Sequence, residues 1–148
     1  MRAKIFLALI ITITIMSCNS NIKKSDLSKM NLITEKYWKL KTLEGKNITF
    51  TRNQKREIYI TLKQNENKVT GFAGCNNFFG EYSLEEGDGI KFKKIATTRK
   101  FCPDIVVNES KFLKTLELAD NYTIKNNLLT LYDSMKAPLA IFEVVYMK

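Results

Sequence analysis

Histidine is absent from all 148 residues, and that absence removes more chemistry than any single residue adds. Ser-His and Cys-His nucleophilic pairs are excluded, as are metal sites that need imidazole. The chain holds two prolines and one tryptophan, and beyond residue 15 no apolar run approaches the roughly 20 residues of a membrane-spanning helix. Acids are in the minority, 15 against 24 basic residues. Those nearest the distinctive segments, Asp88, Asp104, Glu109 and Asp120, read as turn formers, a helix N-terminal charge and a helix-end residue rather than a carboxylate pair. Asn47-Ile48-Thr49, Asn108-Glu109-Ser110 and Asn121-Tyr122-Thr123 match the glycosylation sequon by chance. No catalytic residue, cofactor or metal ligand set is expected.

What is present begins with Arg2 and Lys4, followed by an apolar run over residues 5–15 relieved only by Thr12 and Thr14. Its length suits a secretory signal and is too short to span a bilayer. Ile15-Met16-Ser17-Cys18 then resembles the lipobox of bacterial lipoproteins, in which the cysteine is lipidated and becomes the first residue of the mature protein. Residues 1–17 are therefore read as the signal peptide and Cys18 as the lipidation site. Multiple acyl chains on one cysteine give lasting anchorage where one alone binds only marginally. The expected location is the envelope of a bacterium, with the lipid in a membrane, the outer one by preference.

Cleavage would leave 148 − 17 = 131 residues, enough for one domain with a real core. Formal charge would fall from +9 to +7, since Arg2 and Lys4 leave without an acid. The basic residues are dispersed: Lys91, Lys93 and Lys94 alternate with Ile90, Phe92 and Ile95, as on one solvated strand face. Nucleic acid is thus not an expected partner of an exported chain. Attraction to an acidic envelope surface is the milder consequence. Of three cysteines, lipidation consumes Cys18 and leaves Cys75 and Cys102. In an oxidising compartment this pair is expected to bridge, closing a loop of about 28 residues and contributing roughly 3–4 kcal/mol.

Residues 18–36 are polar and without sustained period, so they read as a tether reaching on the order of 20–25 Å, with the folded domain at residues 37–148. Period-two alternation predicts strands around Trp38 and Leu40, around Ile58, Ile60 and Leu62, and over residues 69–72, 79–84, 90–95, 121–124, 128–132 and 139–146. One segment has helical period: Phe112, Leu113, Leu116 and Ala119 share a face behind Asn108, a natural N-cap. Six to eight strands with one helix predict an α+β domain, a curved antiparallel sheet or incomplete barrel.

The run Gly71-Phe72-Ala73-Gly74-Cys75-Asn76-Asn77-Phe78-Phe79-Gly80-Glu81-Tyr82 resembles the G-x-x-G-C-N-x-x-x-G-x-Y signature of the META domain, the HslJ-like heat-shock lipoprotein family. Four further blocks agree in order. Trp38-x-Leu40 resembles the family's opening, residues 98–103 its T-x-M-A-C-P loop, Glu109-x-x-Phe112 its helix, and Leu129-x-Leu131 with Leu139-x-Ile141-Phe142 its closing hairpin. The departure is Lys100-Phe101, where the family usually places Met-Ala.

The glycines and asparagines of the signature explain themselves as a bulged turn, since glycine tolerates positive φ and close approach and asparagine the left-handed region. The functional alternative is a binding loop of Asn76, Asn77, Phe78 and Phe79, aromatic at the rim of the sheet. The resemblance implies a non-enzymatic, lipid-anchored envelope module, tied to stress, that binds an envelope protein or acidic surface. Two other readings are an inhibitor of a secreted hydrolase and a thiol-redox protein using Cys75 and Cys102. The first is weakened by like-charge repulsion from cationic hydrolases, the second by a spacing of 102 − 75 = 27 that is not C-x-x-C.

Overall fold

Strand alternation dominates the architecture of the computed structural model, which describes residues 28, 30, 32–49, 56–102 and 108–146. In chain order the elements are β1 (Tyr37–Leu43), β2 (Lys46–Asn47), β3 (Tyr59–Lys63), β4 (Lys68–Phe72), β5 (Asn77–Glu85), β6 (Gly89–Thr97), the helix α1 (Glu109–Leu118), β7 (Asn121–Lys125), β8 (Leu128–Tyr132) and β9 (Pro138–Val145). Every pairing is antiparallel, and β1, β3, β4, β5, β6, β7, β8 and β9 follow one another around a ring that closes through β9 on β1. The two-residue β2 hangs on the end of β1. The fold is thus the expected α+β class, and the β1–β9 pairing makes the sheet a ring.

The ring has one thin seam. Between β6 and β7 a single register pair, Gly89 with Asn121, is flanked by Ile90 N donating to Asp120 O at 3.0 Å and Tyr122 N to Asp88 O at 2.8 Å. The helix, which lies between these strands in sequence, packs against β6.

Inward positions follow period two: Trp38 and Leu40, Ile60 and Leu62, Phe78 and Tyr82, Ile90 and Phe92, Leu129 and Leu131, Ala140 and Phe142 are all buried. The helix adds Phe112 and Leu116, both fully buried, and Phe112 meets Phe78 and Phe142 edge-on at ring separations of 5.9 and 6.3 Å. Asn108 caps the helix as its sequence suggests, its Oδ1 accepting from Lys111 N at 3.0 Å. The β7–β8 hairpin turns on Asn126 and Asn127, both at positive φ (51° and 63°), the requirement of a turn that matches strand twist.

The core extends upstream of the expected boundary at residue 37. Ile33 is fully buried at the end of a helical turn, its carbonyl accepts from Trp38 Nε1 at 2.8 Å, and Glu35 N donates to Leu62 O at 2.9 Å. Ile33 and its exposed neighbour Leu32 form too short an apolar stretch to carry a period, so only the contact with Trp38 shows which of the two enters the core. Cys18 and the rest of the expected signal and early tether lie outside the described residues. Among the described residues no helix is long and apolar enough to cross a membrane.

Candidate functional site

The glycine-asparagine segment joins β4 to β5 at one end of the ring. Gly71 faces the core, where an added Cβ would lie 2.2 Å from Tyr59 O and 2.6 Å from the Phe78 ring, so the ring occupies the space a side chain would need. Gly74 sits at φ 113°, in the region that favours glycine, and turns the chain into Cys75. Cys75 is bridged to Cys102, with Cα atoms 5.9 Å apart.

Asn76 is buried and its side-chain amide is fully used. Nδ2 donates to Glu109 Oε1 at 2.9 Å and to Lys100 O at 3.2 Å; Oδ1 accepts from Thr98 Oγ1 at 2.8 Å and from Lys100 N at 2.7 Å. The other carboxylate oxygen, Glu109 Oε2, accepts from the backbone N–H of Asn76 at 2.7 Å and of Cys75 at 3.3 Å. One carboxylate at the start of the helix therefore holds the turn, and one amide holds the loop 98–102. A charge in the first helical turn also complements the helix dipole. In the sequence Glu109 signals only that second role and Thr98 none, because partners 22 and 33 residues away leave no spacing signal.

The four residues of the expected binding loop separate accordingly. Asn76 is architectural. Phe78 is 2 % exposed and belongs to the core, which corrects its expected place at the rim. Its neighbour Phe79 points outward, 58 % exposed between its cross-strand partners Thr70 and Ala96. The signal was available, since counting back by twos from the inward Tyr82 reaches Phe78. Asn77 is exposed, and its Oδ1 accepts from Arg56 Nη2 at 2.7 Å while its carbonyl accepts from Thr98 N at 3.0 Å. The Arg56 guanidinium also lies over the Phe72 ring, 4.3 Å from its centroid.

A model of the META domain matches residues 31–146. The chain belongs to the META domain family. Among curated proteins none matches it. Solved structures share the fold. An NMR structure of a protein from Burkholderia xenovorans has a TM-score of 0.62 at 20 % identity, covering 81 % of this chain and 88 % of that one. A second NMR structure has a TM-score of 0.58 at 24 % identity over 76 % of this chain and 92 % of the other. The crystal structure of a DUF4847 family protein from Bacteroides vulgatus has a TM-score of 0.58 at 14 % identity, covering 81 % and 99 %.

Within this META domain the glycine-cysteine-asparagine signature is thus a turn clamped to the helix and to the loop 98–102. Among the described residues no group of three His, Cys, Asp or Glu is placed to hold a metal ion. Among the described residues, a depression of about 270 Å³ lies beside Leu43, Ile48, Asn108 and Lys111 and one of about 180 Å³ beside Asp88, Asn121, Tyr122 and Tyr132, each below the volumes usual for small-molecule sites. What the clamp leaves outside is Asn77, Phe79 and the side chains of Arg99, Lys100 and Phe101, all exposed. Phe101 is 91 % exposed.

Proposed function

We propose that this META domain protein is a non-enzymatic module of a bacterial cell envelope, anchored by lipid on Cys18 to a membrane, the outer one by preference, and acting in envelope stress by binding. The observation that carries this reading is the division of labour in the signature. Its buried polar groups satisfy one another, as structural groups must. The exposed aromatic surface beside them, Phe79 and Phe101, is the part left over for a partner.

A thiol-redox role draws no support from this geometry. Cys75 is buried, Cys102 is half-buried, and the pair links segments whose backbones are also tied through Asn76. Reactive cysteines need an exposed, thiolate-stabilising setting.

Two experiments test the two halves of the proposal. Cys18→Ser should leave an uncleaved or soluble precursor; membrane fractionation at wild-type mass would refute lipid anchoring. Capture from native membranes by the lipidated protein should lose its partner on Phe79→Ser with the melting curve unchanged. Partner capture indifferent to that substitution would move the binding surface elsewhere.

A further inference from the structure

At the end of the ring around Asn77, three basic side chains without an ion pair among the described residues stand beside exposed aromatic surface on a rigid frame. Elsewhere eight lysines, Lys39, Lys41, Lys63, Lys68, Lys91, Lys94, Lys111 and Lys114, each meet a carboxylate, and Lys46, Lys93, Lys125 and Lys136 meet none among the described residues. Arg56, Arg99 and Lys100 make no ion pair among the described residues. Arg56 is held by Asn77 and by the Phe72 ring, and the same Asn77 starts the loop 98–102 through its carbonyl bond to Thr98 N. That loop is fixed at Thr98, at both backbone groups of Lys100, and at Cys102 through the bridge. Phe101 is therefore presented to solvent by a held backbone, and the ordering of the loop is already met before any encounter.

We infer that this end of the META domain docks on an anionic lipid bilayer, with Phe101 entering the headgroup boundary, Phe79 flanking it, and Arg56, Arg99 and Lys100 on the lipid phosphates. An aromatic ring beside cations is the side-chain combination that suits the bilayer interface, where the ring is desolvated and the charges stay among phosphates. The inference rests on the envelope reading above, which places a bilayer within reach. Glu35 and Ile33 lie near the Lys63 end of β3 and Arg56 beyond its Tyr59 end, so the chain enters at the opposite end from the docking residues. Those two ends of β3 are about 13 Å apart at ~3.3 Å per residue. A flexible chain of the 14 residues ahead of the buried Ile33, 19–32, would reach roughly 20 Å, more than that separation, so a domain anchored through it could turn this end to the membrane.

The test uses the chain from Asn19 onward, which keeps every described residue and lacks Cys18, so that docking and anchoring succeed or fail separately. Vesicles of phosphatidylcholine with about 30 % phosphatidylglycerol should sediment the protein, pure phosphatidylcholine should not, and the binding should fall with salt. Each cation near an anionic surface contributes roughly fivefold, so R99A/K100A should weaken binding roughly 25-fold. F101A should weaken it about tenfold. In F101W the new indole should shift to the blue on the anionic vesicles, while Trp38, buried in the core, stays constant. Thermal melts of each variant matching the parent confirm that the fold is kept. Equal binding to both vesicle types, no binding to the anionic ones, or F101A binding like the parent would each overturn the docking. A Phe101-dependent complex with an acidic protein in the absence of vesicle binding would overturn it in favour of a protein partner.

Discussion

Replacing Asn76 by alanine removes four side-chain hydrogen bonds at once: two to the backbone of Lys100, one from Thr98 Oγ1 and one to the Glu109 carboxylate. A neutral bond contributes about 1 kcal/mol net and one to a charged group about 1.5–3, which sums to about 4.5–6 kcal/mol. Lys100 and Thr98 are exposed residues, so water recovers part of what their groups lose, and we expect a net loss of about 3–4 kcal/mol. That is a large fraction of the stability of a domain this size, and equilibrium denaturation in urea with the disulfide intact measures it directly. Glu109→Ala and the double variant complete a cycle whose coupling term should be about 1.5–3 kcal/mol, because the amide and carboxylate share one network. A loss below about 1 kcal/mol for Asn76→Ala, with additive single variants, would refute the clamp as an energetic unit.

The neighbouring phenylalanines should respond oppositely in the same assay: Phe78→Ser loses about 3–5 kcal/mol and Phe79→Ser stays within about 0.5, and similar losses would mean the strand is not oriented as described. Gly71→Ala should lose about 1–3 kcal/mol, since its methyl group meets a carbonyl and the Phe78 ring, and a neutral result would contradict that contact. Removing the bridge by Cys75→Ser with Cys102→Ser should lower stability by roughly 3–4 kcal/mol with the far-ultraviolet spectrum retained; a lost fold would show that the ring depends on it. The bond from Gln64 N and the Lys63 ammonium hold the Glu35 carboxyl below its ordinary value of about 4.5. The stabilisation is then present above that value and lost as pH falls through the lowered one, so a carboxyl titration by NMR should find its midpoint below 4.5, and a midpoint above it would remove the interaction.

Much of the architecture is decided within a few residues of each position. Ile58, Ile60 and Leu62 alternate because a half-buried strand has period two; Asn126-Asn127 turns because asparagine tolerates positive φ; Asn108 caps because its carboxamide reaches the N–H three residues on. The antiparallel class and the helix over residues 109–118 follow from such local rules, and the cysteine pair is expected from the reading of the chain as exported. Even the inward turn of Phe78 was legible by the same alternation, once β5 is allowed to begin at Asn77.

Three-dimensional packing decided the rest. Nothing in the spacing of Asn76, Thr98, Lys100 and Glu109 indicates that one amide and one carboxylate would bind a turn, a loop and a helix together. Their hydrogen bonds exist only because the ring and the helix carry those residues to one place. The burial of Ile33 likewise depends on Trp38 lying over it, and the gathering of Arg56 with the loop 98–102 depends on their common partner Asn77. Periodicity records which side of its own strand a residue occupies, whereas a site needs the relative position of strands, and only the closed sheet determines that.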